Sequence, residues 1–164
     1  MFEKIGDMPL HPLVIHAVVF GIPLAALLAI LFAFPRTREW ARWPLAIVVV
    51  GATAVTFVAR QSGLAFEAAL GIKPGNPVGD LILQHSLLAN QLFYIMIVFA
   101  AIGLINVFVV RKSTSDDGAK QPAVIRVVLP ILLVAAALVA LIWIVRVGDL
   151  GARAVWNPTA PPLF

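Results

Sequence analysis

The order of apolar and polar positions divides the chain into four long apolar runs separated by short polar links. Pro12 to Phe34 forms the first run, interrupted only by His16. Trp43 to Ala59 forms a second, shorter run, and Arg60 closes it. Leu81 to Val110 forms the third, with Gln84, His85, Ser86, Asn90 and Gln91 crowded into its first turns. Val127 to Val147 forms the fourth, broken only by Arg146. A helix needs roughly 20 apolar residues to cross a bilayer core. The pattern therefore predicts an all-α integral membrane protein, an antiparallel bundle of four transmembrane helices. The spans are expected near residues 12–34, 43–60, 81–110 and 127–148, and one domain accounts for the whole chain. No internal repeat is evident.

Punctuation at the links supports these limits. Pro12 and Pro44 suit first turns of helices. Ser62 is a candidate N-cap and Gly71 a candidate stop, so Gly63–Leu70 is expected as a short helix lying on the outer surface. Lys73 to Asp80 holds two prolines and two glycines and reads as a turn. Arg111 to Gln121 reads as a polar link. The leader before the first run carries Glu3 and Asp7 as well as Lys4, and Pro23 and Arg36 follow, so the first run reads as a retained helix rather than a signal peptide.

Composition agrees: 62% of the 164 residues are hydrophobic and 12% charged. A soluble domain of this size could not bury that much apolar surface. Soluble enzymes, nucleic-acid modules and disordered chains are excluded. The net charge of +4 invites no nucleic-acid partner, because the basic residues sit at the ends of apolar runs. Seven of the 12 basic residues (Arg36, Arg38, Arg42, Arg111, Lys112, Lys120, Arg126) fall on links one and three. Lys4, Arg60, Lys73, Arg146 and Arg153 fall on the other side. By the positive-inside rule, links one and three are cytoplasmic and both termini are extracytoplasmic.

Lipid does not drive helices together by apolarity, so association rests on small residues that let backbones approach. Ala17, Gly21 and Ala25 provide such a stripe on the first helix.

The polar intramembrane residues gather toward the outer end: His11, His16, Arg60, His85, Arg146, Asp149 and Arg153. Groups that are costly to expose to lipid are functional candidates. His16 and His85 stand at similar depths on different helices, where two imidazoles could ligate a b-type haem axially. They could equally hydrogen-bond and fix helix register. Arg146, Asp149 and Arg153 are spaced for one helix face, either as an ion-pair ladder or as two guanidiniums offered to a lipid phosphate or a carboxylate. A zinc site would need Asp149 or Glu67 as a third ligand. Cysteine is absent, which removes thiolate chemistry. No nucleophile elbow, phosphate loop or paired catalytic carboxylates occur, and no acids run through the membrane depth.

The motifs His11-Pro12-Leu13-Val14-Ile15-His16, Gln61-Ser62-Gly63, His85 and Arg146-Val147-Gly148-Asp149-Leu150-Gly151-Ala152-Arg153-Ala154-Val155-Trp156 occur in a telling order. In it the chain resembles the bacterial membrane family catalogued as domain of unknown function 2231, most closely its actinobacterial branch. The resemblance spans nearly the whole chain. It implies a four-helix membrane fold with histidines near one face, and it carries no established activity. The family usually has histidine where this chain has Asp149, which leaves His11, His16 and His85 as the matched positions. The expected role is a non-catalytic accessory or structural subunit of a larger plasma-membrane complex, possible partners being respiratory subunits and membrane lipids. The alternative is a small b-type cytochrome or metal binder using His16 and His85. The tail from Trp156 to Phe164, with three prolines, suits docking on such a partner.

Overall fold

The computed structural model describes residues 4–110, 122 and 124–159. Arg111, Lys112, Lys120, most of the third link and the end of the tail lie outside the described residues. Helices α1 (Leu10–Ala33), α2 (Arg38–Leu70), α3 (Pro77–Val109) and α4 (Leu129–Trp156) account for nearly all of the rest. A π-helical turn, Val124–Val128, leads into α4. All four helices are long and apolar enough to span a membrane, with mean hydropathy from 1.7 to 3.0 over their best windows.

The helices outrun the apolar runs because backbone hydrogen bonding continues past the last apolar turn into polar surroundings. In particular, Gly63–Leu70 is no separate surface helix. It forms the last two turns of α2, which ends only at Gly71, with φ of 61° and its N–H bonded to the Ala68 carbonyl. Pro44, expected in a first turn, lies inside α2, which begins at Arg38. Asn76 caps α3 by accepting a hydrogen bond from the Gly79 N–H at 2.9 Å. Before α1, Lys4–Ile5 and Met8–Pro9 pair as a two-residue antiparallel ladder around Gly6, whose φ is 60°.

Each helix packs against two neighbours: α1 against α2 and α4, and α3 against α4 and α2. Helices α1 and α3 therefore stand on one diagonal of the bundle. Phe32, Phe99, Ile22, Leu45, Met96 and Leu133 fill the axis. Gly21 stands at the α1–α2 contact, where a Cβ would lie 3.4 Å from that of Ala52. The small-residue stripe is partial: Ala17 is exposed, whereas Ala25 is buried.

The buried positions expose a repeat that the sequence pattern did not. The shift that carries His11 onto His85 also carries Val18, Ile22, Ala25, Ala29 and Phe32 onto Leu92, Met96, Phe99, Gly103 and Asn106, and every residue after the histidines is buried. A second shift carries Leu45, Val49, Ala52 and Ala59 onto Leu133, Ala137, Ala140 and Val147, again all buried. The bundle is two copies of a helical hairpin, α1–α2 and α3–α4.

One end of the bundle is fastened by arginine. Arg38 is buried and donates from Nε to the Phe32 carbonyl at 3.1 Å and from a terminal nitrogen to Ala33 at 3.1 Å. Arg42 donates to the carbonyls of Val107 and Val110 at the end of α3. These side chains satisfy carbonyls that a helix C-terminus leaves without partners. The histidines mark the opposite end.

Candidate functional site

His11 lies in the first turn of α1 and its ring turns toward α2. Its Nδ1 lies 3.0 Å from the carbonyl oxygen of Ala59 on α2. Its Cε1 edge comes so close to Gly63 that an added Cβ would stand 3.1 Å away. His85 repeats the arrangement in the second hairpin. Its Nδ1 lies 2.9 Å from the Val147 carbonyl on α4, and an added Cβ at Gly151 would stand 3.1 Å from its Cε1. The shift that relates Ala59 to Val147 also relates Gly63 to Gly151. In each hairpin, the imidazole lies over a glycine and bonds to the carbonyl one turn earlier.

A carbonyl only accepts hydrogen bonds. Its position therefore assigns the proton of each neutral ring to Nδ1 and leaves the lone pair on Nε2. The same arrangement fixes the tautomer of metal-ligating histidines. The two rings meet across the diagonal, with centroids 6.4 Å apart and planes at 84°. Ser62, fully buried beside them, donates to the same Ala59 carbonyl at 3.0 Å.

His16 does not join this pair. It is exposed on the outside of α1, with Nδ1 2.8 Å from the Pro12 carbonyl of its own helix. The expected pairing of His16 with His85 is thereby corrected to His11 with His85. Five residues along a helix turn a side chain by roughly 140° from its starting direction, so His11 and His16 cannot both face the axis.

The other expected members separate into distinct contacts. Arg60 donates to the side-chain oxygens of Asn90 and Gln61, each at 2.8 Å, and lies over the Phe93 ring, joining α2 to α3. Ser86 donates to Glu67 at 2.6 Å across the same seam. Asp149 pairs with Arg153 at 3.9 Å, and not with Arg146 as a three-member ladder requires. Arg146 is exposed, with its guanidinium 5.3 Å from the centre of the Trp143 ring. Arg146, Asp149 and Arg153 line a cleft of about 290 Å³ between α3 and α4, together with Gln84, Leu88 and Gln91. No group of three or more His, Asp or Glu residues able to hold a metal ion occurs among the described residues, so Asp149 and Glu67 do not complete a zinc site.

Gly63, Val147 and Gly151 stand in the quoted motifs, but their place beside the two imidazoles, and that of Ala59, was not read from the sequence. The repeated distance from Ala59 to Gly63 and from Val147 to Gly151 was the signal available, once the two histidines were known to be equivalent.

Four membrane-crossing helices with a polar, histidine-bearing end define the class: a multi-pass membrane protein. The chain belongs to the family described as predicted membrane protein, DUF2231, whose model matches residues 7–159. No curated protein and no solved structure matches it.

Proposed function

We propose that the chain is a metal-binding membrane protein whose site is the His11–His85 pair. The observation that carries this reading is the meeting of two imidazoles 6.4 Å apart, each with Nδ1 tied to a carbonyl. An imidazole nitrogen binds a metal at about 2.0 Å and sits about 1.1 Å from its ring centre, so two imidazoles on opposite sides of one metal have centroids about 6 Å apart. Haem iron held by two axial histidines is the chemistry of that kind best suited to a helix bundle.

In this reading the protein is non-catalytic and serves as an accessory subunit of a larger plasma-membrane assembly, its bound metal centre being what it contributes. The gathering of Arg36, Arg38, Arg42 and Arg126 at the end opposite the histidines supports a cytoplasmic placement of that end and an extracytoplasmic site.

The test is an absorption spectrum and metal analysis of protein purified in mild detergent from haem-replete cells. A Soret band or a stoichiometric transition metal is expected, lost in His11→Ala and in His85→Ala and kept in His16→Ala. Protein free of both, or equal binding by all three variants, would overturn the reading. The imidazoles would then be hydrogen-bonding pins.

A further inference from the structure

The hairpin repeat shows which residues the fold itself needs, because each position in one hairpin has a counterpart in the other. In the α3–α4 cleft, Arg146, Asp149 and Arg153 take the places that Val58, Gln61 and Ala65 hold in α2. Gln84 and Gln91 take the places of Leu10 and Ala17 in α1. The α1–α2 seam closes without a single charge at these positions. Packing therefore does not call for the charges of the α3–α4 cleft.

The cleft is also organised. The Trp143 Nε1 donates to Gln91 at 3.1 Å, which holds the indole as a wall on which the Arg146 guanidinium rests. Among the described residues no carboxylate or carbonyl meets that guanidinium. Arg153 lies on the same wall, one turn beyond Asp149 and paired with it. Arg146, Asp149 and Arg153 line the cleft from α4, while Leu88 and Leu150 supply an apolar floor. A planar guanidinium matches phosphate oxygens in pairs. The cleft opens on the exposed side of the bundle, close to one end of the spans, where phospholipid headgroups lie.

We propose that this cleft binds the phosphate of an anionic glycerophospholipid, with Arg146 as the principal donor, Arg153 as the second, and the acyl chains running along the floor. The Arg146 guanidinium offers one positive charge on the Trp143 ring, which favours a phosphodiester headgroup with no cation of its own. The proposal is independent of the histidine pair.

Native mass spectrometry of the full chain in mild detergent tests it, with added phosphatidylglycerol, phosphatidylcholine or inorganic phosphate as probes. Phosphatidylglycerol should be retained in preference to phosphatidylcholine. Arg146→Val, the residue that the repeat already accommodates at Val58, should weaken retention at least about tenfold, the size of one lost charge-assisted hydrogen bond. Its melting temperature should match that of the parent. Arg153→Ala, matched by Ala65, provides a second variant: retention should weaken likewise, with a small fall in melting temperature from the lost Asp149 pair. Equal retention of both lipids, or retention unchanged in both variants, would overturn the proposal. Displacement of the lipid by millimolar inorganic phosphate would overturn the lipid as the source of the bound anion.

Discussion

The rings of His11 and His85 meet at 6.4 Å although they come from opposite corners of the bundle, α1 and α3. Each ring reaches the axis because the helix beside it carries a glycine at the level of contact. The imidazole edge then lies 3.1 Å from where a Cβ would stand, closer than a side chain there ordinarily allows.

That geometry predicts the effect of filling either glycine. Gly63→Val or Gly151→Val should displace the imidazole and cost about 1–3 kcal/mol by overpacking. Thermal melts in detergent would measure the cost. If the pair holds a metal, either variant should also lose it, whereas Gly148→Val, where a Cβ meets nothing within 4 Å, should keep it.

Gly21→Leu should destabilise the α1–α2 contact. A Cβ there already touches Ala52 at 3.4 Å, so the larger leucine side chain should press α1 and α2 apart. About 1–3 kcal/mol is expected. Unchanged stability would show that the two helices separate at little cost.

Arg38→Met should cost about 1–3 kcal/mol. It leaves the Phe32 and Ala33 carbonyls without their donors at a buried helix end. Exposed Arg36→Met should cost little, and comparing the two melts separates helix fastening from a general effect of charge.

Asp149→Asn should act through Arg153. A partly buried pair at 3.9 Å is worth about 0.5–1 kcal/mol. A double-mutant cycle with Arg153→Gln should recover that coupling, and a cycle with Arg146→Gln should give almost none.

Topology can be read on a background free of cysteine. Pro74→Cys, in the exposed turn before α3, should react with an impermeant thiol reagent in intact cells. Pro35→Cys, in the exposed turn after α1, should not. The reverse labelling would invert the orientation.

The sequence by itself determined the membrane class, the four helices and the gathering of polar groups toward one end. Each is a property of position along the chain. At 1.5 Å per residue, the place of His85 or Arg146 within its run already gives its depth. Helix ends were less legible, because Gly63–Leu70 keeps its hydrogen bonds with or without lipid around it. The tertiary structure decided which side chains meet. Depth pointed to His16 as the partner of His85, yet His11 is the residue that meets it, because rotation about α1, which an almost uniformly apolar helix leaves unspecified, turns His16 outward. The partner of Asp149 was hidden for a related reason, since Arg146 and Arg153 both lie within one turn of it. The repeat was invisible because the link between α3 and α4 is longer than that between α1 and α2, so no one shift aligns both helices of a hairpin. Only the burial of Ile22 with Met96 and of Leu45 with Leu133, and two imidazoles laid over two glycines, made the halves equivalent.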